Sequence, residues 1–377
     1  MHYQLSFWEH DAFFRDLDLL VIGAGIVGLN AALRFREKNP KARIMVLERG
    51  PLPIGASTRN AGFACFGSMT ELLDDLATLE EHQVWNLVRR RYDGLQRLRR
   101  RVGDKALEFR QLGGYELFRA GEEDIYVRCL DQMNSFNREL SSLTGEKETF
   151  QVADEKLGAF CFSGVEHLIW NKAEGQIHTG NMMRRLLELA RKADIDVLGG
   201  IPVEQLADQA VVTQQGWTIP ARQIIVATNG FARHLLPGLS VEPARNQVLV
   251  TEPLADLPFR GTFHYDRGYV YFRNIGNRVL LGGARHLAKA EETTSEFGMT
   301  ETIQGALQKL LHTVILPGYP DVSVTSRWSG IMGVGTTKQP ILHPVNDHTL
   351  AAVRLGGMGV AIGSLLGEEA ADVLTGG

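Results

Sequence analysis

Six residues near the N-terminus, Gly23-Ala24-Gly25-Ile26-Val27-Gly28, have the spacing G-x-G-x-x-G. An apolar run that predicts a strand precedes them and helical apolar spacing follows, so the motif falls at a strand-to-helix turn. There the first glycine permits the tight bend, the second lets the backbone approach a pyrophosphate, and the third lets helix and strand pack closely. The helix N-terminus then faces the anion. The sequence therefore predicts a dinucleotide site that includes Gly23, Gly25, Ile26, Val27 and Gly28.

Glu48 lies 20 residues beyond Gly28, at the end of a second predicted strand. A carboxylate at that place can accept hydrogen bonds from the adenosine ribose hydroxyls. The same negative charge disfavours a ribose 2′-phosphate, so NADP is disfavoured, and FAD and NAD remain as candidates.

The elements that position these residues form a βαβ unit. Leu17–Ile22 predicts a buried parallel strand, Ile26–Lys38 a helix, and Ala42–Glu48 the second strand. Residues 245–285 are rich in strand patterns, which predicts an antiparallel sheet distinct from the parallel one. Residues 71–101 predict a helix with acidic residues early and arginines late, which matches the helix dipole and indicates a solvated face. A stripe that binds polyanions is the alternative for those arginines.

The composition is that of a folded globular chain. The chain has 377 residues, 44% hydrophobic and 22% charged, which excludes disordered and collagen-like classes. Its formal net charge of -4 gives no global field that would recruit nucleic acid or anionic lipid. Three cysteines without a C-x-x-C pair predict neither a disulfide framework nor a thiolate zinc site, so we expect no metal centre. We also expect no signal peptide, no integral membrane segment and a cytoplasmic location.

Several segments resemble the D-amino acid oxidase family of FAD-dependent oxidoreductases, which includes glycine, sarcosine and gamma-glutamylputrescine oxidases. Gly55–Gly62, an irregular stretch after Val46-Leu-Glu-Arg49, resembles the family's flavin-contacting segment. Further similar segments follow in the same order and spacing: Gly175–His178, Ile225–Gly230, Trp328–Gly330, Pro340 and Leu355–Gly363. The resemblance spans nearly the whole chain.

The resemblance implies noncovalent FAD as the cofactor. No cysteine follows Cys161, and Asn60 stands where some relatives carry the histidine that tethers the flavin. Amides ahead of the C-terminal helix would sit against the pyrimidine edge of the flavin and stabilise its anionic reduced form. The implied cofactor residues, besides the G-x-G-x-x-G motif, are Glu48, Arg49, Ala56, Ser57, Thr58, Arg59, Asn60, Ala61, Gly62, Val203, Ala227, Thr228, Asn229, Gly230, Gly330, Gly356, Gly357, Met358, Gly359 and Val360.

The resemblance also suggests substrate residues. Arg327 falls where the carboxylate-binding arginine of glycine and D-amino acid oxidases would be. An arginine suits that role because its planar guanidinium matches the two oxygens of a carboxylate. Tyr269, Tyr271 and Arg273 alternate, so they share one face of a strand. If that face looks at the flavin, they form a polar wall for an amino acid; if it looks outward, they are ordinary strand residues. The lone histidines, His264 among them, are expected to be core or surface residues.

These features predict an enzyme that oxidises the C–N bond of an amino acid or N-substituted amino acid by hydride transfer to flavin, with oxygen or a quinone as electron acceptor. Leu280 stands near the position of an oxygen-activating lysine in sarcosine-oxidase relatives, so rapid reaction with oxygen is not implied. The alternative enzyme on the same fold is a 2-hydroxyacid dehydrogenase, which needs a base for the hydroxyl proton. A flavin-binding or tRNA-modifying protein that uses the arginine-rich helix is a third hypothesis.

The predicted fold class is α/β, with two interleaved domains. A Rossmann-like FAD-binding domain combines residues 1–75, 150–240 and 326–377. Residues 76–149 and 241–325 form a substrate domain on a mixed, largely antiparallel sheet over the flavin. We expect the active site at their junction, where clefts between domains commonly bind ligands.

Overall fold

The structure is a computed structural model that describes residues 3–376. Its strands, in chain order, are β1 (Leu17–Ile22), β2 (Ile44–Glu48), β3 (Phe63–Ala64), β4 (Gly114–Arg119), β5 (Phe150–Val152), β6 (Val165–Asn171), β7 (Gly175–Gln176), β8 (Asp196–Gly199), β9 (Val203–Ala207), β10 (Ala210–Thr213), β11 (Thr218–Val226), β12 (Glu242–Thr251), β13 (Thr262–Tyr265), β14 (Val270–Ile275), β15 (Arg278–Gly283), β16 (Val324–Val334), β17 (Ile341–Pro344) and β18 (Thr349–Val353). The longer helices are Ile26–Lys38, Met69–Leu76, Glu81–Val102, Glu123–Thr144, Thr179–Lys192, Glu301–Leu310 and Gly359–Leu374. Short helical segments are Phe7–Glu9, His10–Phe14, Ala56–Arg59, Asp104–Leu107, Asp154–Lys156, Leu157–Phe160, Asn229–Phe231, Ala232–Leu235, Arg285–Ala288 and Leu311–Ile315.

The first sheet is built around parallel strands in the order β17-β18-β11-β1-β2-β8. Only β17 and the β9–β10 pair join it antiparallel. The apolar side chains of β1 alternate between the two faces: Leu19 and Val21 pack against helices Ile26–Lys38 and Gly359–Leu374, and Leu20 and Ile22 pack toward the β9–β10 side. This arrangement confirms the Rossmann-like α/β prediction, including the bounds of β1 and of the helix that follows it.

The second sheet has the order β16-β12-β15-β14-β13-β4-β6-β5, and only its β13–β4 pair is parallel. One face packs an aromatic core against helix Glu301–Leu310, including the parallel rings of Phe263 and Phe272 with centroids 4.6 Å apart. The opposite face carries a smaller apolar cluster that includes Val248 and Leu280. This sheet confirms the mixed, largely antiparallel prediction.

Sheet membership differs from the predicted division at two boundaries. Residues 150–171, placed in the FAD-binding domain from sequence, supply β5 and β6 of the second sheet. Residues 324–334 form β16, which pairs along its length with β12. Long-range strand pairing decides these memberships, and neither segment carries a local signal for its partner.

The predicted helix over residues 71–101 is two helices, Met69–Leu76 and Glu81–Val102, because the chain turns at residues 77–80. Some of its arginines lie on the solvated face that the charge pattern suggests, since Arg89 and Arg100 are exposed, but others form ion pairs with another helix. Arg97 and Arg101 pair with Glu368, and Arg90 pairs with Glu369, so these arginines join the helix to Gly359–Leu374. Because these three side chains are engaged in internal ion pairs, they are not free to bind a polyanion, as the alternative interpretation requires. No helix within residues 3–376 is long and apolar enough to cross a membrane.

Candidate active site

A cavity of about 1200 Å³ lies between the two sheets. Nearly all of the cofactor residues predicted from sequence line it: Gly23, Gly25, Ile26, Val27, Glu48, Arg49, Ala56, Ser57, Arg59, Asn60, Ala61, Gly62, Val203, Ala227, Thr228, Asn229, Gly230, Gly330, Gly356, Gly357, Met358, Gly359 and Val360. Gly28 and Thr58 are the two predicted cofactor residues that do not line it. Segments far apart in the chain thus converge on one space.

The glycines of the G-x-G-x-x-G turn are needed where the chain bends. Gly23 has φ +107°, a conformation that side chains rarely adopt. A Cβ on Gly28 would lie 2.0 Å from the Gly23 carbonyl oxygen, so Gly28 lets the helix pack on the strand and does not face the cavity. The Ile26 amide donates to Ser57 Oγ at 2.9 Å, which ties the helix start to the next cofactor segment.

Glu48 is buried at the end of β2 and holds the turn in place. Its carboxylate accepts from the Ala24 amide at 3.1 Å and from the Gly50 amide at 3.2 Å. Because a carboxylate can accept about four hydrogen bonds, these contacts leave capacity for ribose hydroxyls. Glu48 therefore lies in the cavity wall with acceptor capacity left over.

The segment Gly55–Gly62 is more regular than its sequence suggests, since residues Ala56–Arg59 form one helical turn. Thr58 points away from the cavity because its hydroxyl donates to the Pro53 carbonyl at 2.7 Å. Asn60 accepts from the Gly62 amide at 2.8 Å through its side-chain oxygen. These bonds fix the segment along the cavity.

The C-terminal glycines form the other end of the wall. Gly356 and Gly357 have φ +56° and +85°, and helix Gly359–Leu374 begins directly after them. The first amides of this helix have no carbonyl partner within it, so the cavity meets a second helix N-terminus.

Residues of this cavity fit FAD. Two helix N-termini and the guanidinium groups of Arg49 and Arg59 suit a pyrophosphate, and Glu48 suits the ribose. The hydroxyl of Thr228 lies in the same wall, buried and without a hydrogen-bond partner among the described residues. These are the residues that would hold FAD.

The wall on the second sheet carries the two predicted tyrosines. Tyr271 lines the cavity, its hydroxyl accepts from Asn246 Nδ2 at 3.2 Å, and burial raises its pKa above the usual value. Tyr269 also lines the cavity but is half exposed. Arg273 lies deeper and does not line it; one Nη donates to the Ile177 carbonyl at 3.0 Å, and burial lowers its pKa to about 10. Of the two alternatives for this strand, the tyrosines agree with the inward-facing one.

Arg327 does not lie where the sequence resemblance suggests. Its guanidinium donates to the side-chain oxygens of Gln304 and Gln308 on helix Glu301–Leu310, on the other side of the sheet from the cavity. The neighbouring Trp328 packs on the cavity side, where its indole donates to the Arg59 carbonyl at 3.0 Å. Because strand side chains alternate, Arg327 must point away. It is not brought to the site.

Sequence reasoning missed an ionic cluster at the far end of the cavity. His264, expected to be an ordinary core or surface histidine, is buried in the cavity wall with Nε2 2.9 Å from Glu174 Oε2. Burial alone would lower the pKa of His264. The negative charge of Glu174 and its hydrogen bond to the imidazole outweigh burial, and the charges of Glu71 and Glu116 add to them, so the pKa is raised to about 9. Cys65 lies beside the pair. Its sulfur, a Glu174 carboxylate oxygen and a ring nitrogen of His264 are all within 4.8 Å of one another. The residues are too distant in sequence for any spacing signal.

A second missed group lies at the edge of the same end. Lys338 Nζ is 2.6 Å from Asp75 and 3.9 Å from Glu71. All three line the cavity. The far end is therefore ionic, whereas the middle of the wall near Val248 and Phe63 is apolar.

We expect the stability of the chain to fall at alkaline pH because of His264. Its pKa is about 9 in the folded chain and about 6.5 in an unfolded one. The ion pair therefore contributes fully below about pH 6.5, and this contribution is lost as the pH rises through about 9. Urea unfolding between pH 6 and pH 10 should show the decline in the wild type and a weaker one in His264→Gln; equal slopes would contradict the assignment.

Comparisons with known proteins give a family match and several similar folds. The model of a family described as FAD dependent oxidoreductase (DAO) matches residues 18–373. The chain is 23% identical over 385 residues to a probable oxidoreductase, OrdL, of Haemophilus influenzae, covering 95% of this chain and 83% of that protein. Its fold is similar to glycine oxidase from Geobacillus kaustophilus, with TM-score 0.76, 20% identity and coverage of 95% and 94%. L-proline dehydrogenase from P. horikoshii gives TM-score 0.75, 16% identity and coverage of 96% and 94%. Iminodiacetate oxidase from Chelativorans sp. gives a TM-score of 0.72 and 20% identity, with coverage of 95% of each chain.

Proposed function

The chain belongs to the DAO family of FAD-dependent oxidoreductases, whose model covers residues 18–373, and on that premise we propose that it oxidises the C–N bond of an amino acid or N-substituted amino acid. The product would be an imine, which water hydrolyses. The observation that carries the proposal is that the predicted cofactor residues share one cavity with Tyr271 and Asn246. Bound FAD supplies the acceptor for the hydride that leaves the substrate carbon.

The chain's own groups bind and orient the reactants. The amides at the start of helix Gly359–Leu374 favour negative charge on the side of the cavity that they face. The Tyr271 hydroxyl accepts from Asn246 and keeps its own proton, so it can donate to an acceptor atom of the substrate. Apolar Phe63 and Val248 exclude water from the middle of the wall.

Two titratable groups of the wall, His264 and Tyr271, offer no base for a 2-hydroxyacid. An alcohol must lose its hydroxyl proton near hydride transfer, whereas a neutral amine needs no such base. His264 keeps its proton up to about pH 9, and burial raises the pKa of Tyr271. At neutral pH both groups are therefore protonated and neither accepts a proton from an alcohol.

The names of the related structures support the same substrate class. Glycine oxidase, iminodiacetate oxidase and L-proline dehydrogenase are named for amino acids or an imino diacid. Those names also include both oxidases and a dehydrogenase, and we propose oxygen or a quinone as the acceptor here. A carboxylate on the substrate would meet Arg267, Arg285 or Lys338, the cations on the second-sheet side and far end of the cavity.

A turnover assay with an artificial electron-accepting dye tests the proposal. The panel contains D- and L-amino acids, N-methyl amino acids, polyamine conjugates and 2-hydroxyacids. We expect dye reduction with at least one member, accompanied by equimolar release of ammonia or a primary amine. Dye reduction only by 2-hydroxyacids, without released nitrogen, would contradict it.

We expect Arg327→Ala to leave substrate recognition unchanged. Its guanidinium bonds Gln304 and Gln308 and does not reach the cavity, so the KM of every substrate turned over should stay within about twofold, below the effect of one lost charged hydrogen bond. Arg285→Ala, which changes a cavity-lining residue, is the matched comparison. A tenfold rise in KM for Arg327→Ala would restore its assignment to the substrate carboxylate.

A further inference from the structure

Residues 289–300, here called the strap, join the short helix Arg285–Ala288 to helix Glu301–Leu310 without regular structure of their own. The strap passes beside the cofactor side of the cavity, where Ser295 lines the wall.

Glu292 fixes the strap to the second sheet. Its side chain is fully buried and forms two parallel hydrogen bonds with Arg245 on β12, each 2.9 Å long. Gln247 Nε2 donates to the same carboxylate at 2.8 Å and the Thr300 hydroxyl at 3.2 Å. A buried carboxylate with this many donors defines one position for the backbone around it.

Five residues beyond Glu292, the strap places Phe297 against the two cofactor arginines. The Arg59 guanidinium carbon lies 4.5 Å from the centre of the Phe297 ring and that of Arg49 lies 5.8 Å from it. Arg49 also lies over the ring of Phe231, at 3.6 Å. Aromatic faces attract guanidinium groups at these distances.

The two arginines need such a support. Burial lowers the pKa of Arg49, the negative charge of Glu48 acts against this, and the positive charge of Arg59 lowers the pKa further. The two cations repel each other. Among residues 3–376 their guanidinium groups form one hydrogen bond, from an Arg59 Nη to the Ser329 carbonyl at 2.9 Å. Both line the cavity where a dianionic pyrophosphate would balance them.

We propose that Glu292 and Phe297 are positioning residues for FAD: the buried Glu292–Arg245 pair holds the strap, and the strap holds Phe297 against Arg49 and Arg59. The guanidinium groups are then oriented toward the anion before it binds, which reduces the ordering that binding requires. This inference goes beyond the substrate proposal, because it concerns only the binding of FAD.

The test compares FAD dissociation constants, measured by quenching of flavin fluorescence on titration into flavin-free protein. Phe297→Leu removes the aromatic face, and we expect its dissociation constant to rise about tenfold. Phe297→Tyr keeps the ring and should bind as the wild type does. Glu292→Gln should weaken FAD by at least about tenfold, since it leaves Arg245 buried without its counter-charge. Glu291→Gln, the same change at the exposed neighbouring position, is the control.

Thermal unfolding of the flavin-free proteins separates positioning from stability. We expect Phe297→Leu, a partly exposed position, to unfold at the wild-type temperature while binding FAD more weakly. If Glu292→Gln does not fold, the comparison of Phe297→Leu with Phe297→Tyr tests the proposal by itself. Wild-type FAD affinity in Phe297→Leu would overturn the proposal, whether or not the protein oxidises amines.

Discussion

Gly28→Ala is expected to be purified without flavin. A Cβ at this position would lie 2.0 Å from the Gly23 carbonyl oxygen and 3.0 Å from Val21 Cγ1. Neither neighbour can retreat, because Gly23 is held in the turn and Val21 is buried in β1. Overpacking of this kind costs about 3 kcal/mol, which corresponds to roughly a hundredfold loss of FAD affinity if the strain is released in the apoprotein.

The measurement is the ratio of flavin to protein absorbance after purification, followed by titration with FAD. Gly305→Ala is the matched control, since Gly305 lies in helix Glu301–Leu310 with no atom within 4 Å of a new Cβ. That variant should retain FAD and be slightly more stable, because alanine favours a helix over glycine. Full flavin content in Gly28→Ala would show that the turn does not bind the cofactor as described.

Glu174→Ala is expected to lower the free energy of unfolding by about 3–5 kcal/mol at pH 7, the cost of breaking a buried ion pair on one side. Glu174 is fully buried and accepts from His264 at 2.9 Å and from the Thr262 hydroxyl at 3.1 Å. Removal of the Glu174 carboxylate leaves the His264 cation and the Thr262 hydroxyl without their acceptor and opens a cavity beside them.

Urea unfolding monitored by circular dichroism measures this loss. Glu166→Ala, an exposed position on β6, is the control and should change stability by less than about 0.5 kcal/mol. The loss of stability in Glu174→Gln should lie between those of Glu174→Ala and Glu166→Ala, because an amide can still form a hydrogen bond with a neutral histidine. A loss below about 1 kcal/mol in Glu174→Ala would mean that His264 is neutral in the folded chain.

The parts of the site that the sequence predicts are those built from neighbouring residues. The G-x-G-x-x-G turn, its flanking strand and helix, and Glu48 lie within one βαβ unit, whose geometry follows from local spacing. The glycines before helix Gly359–Leu374 are predictable for the same reason. Local periodicity also predicts the faces of β1 and the alternation of Tyr269 and Tyr271.

The remainder depends on contacts between distant segments. The orientation of Arg327 is set by the pairing of β16 with β12, and a shift of one residue exchanges the two faces of a strand. His264, Glu174 and Cys65 meet only when three separate segments fold together. Arginines of helix Glu81–Val102 find their partners on a helix more than 260 residues away in the chain. None of these contacts has a signature in composition or spacing.

The most direct test of the central claim is anaerobic reduction of the bound flavin, followed by absorbance. The purified yellow protein is mixed without oxygen with amino acids, N-substituted amino acids, polyamine conjugates and 2-hydroxyacids in turn. We predict that at least one amine bleaches the flavin and that no 2-hydroxyacid does, with air then showing how fast oxygen restores the colour. Bleaching by a 2-hydroxyacid alone, or a protein that cannot be reconstituted with FAD, would contradict the account.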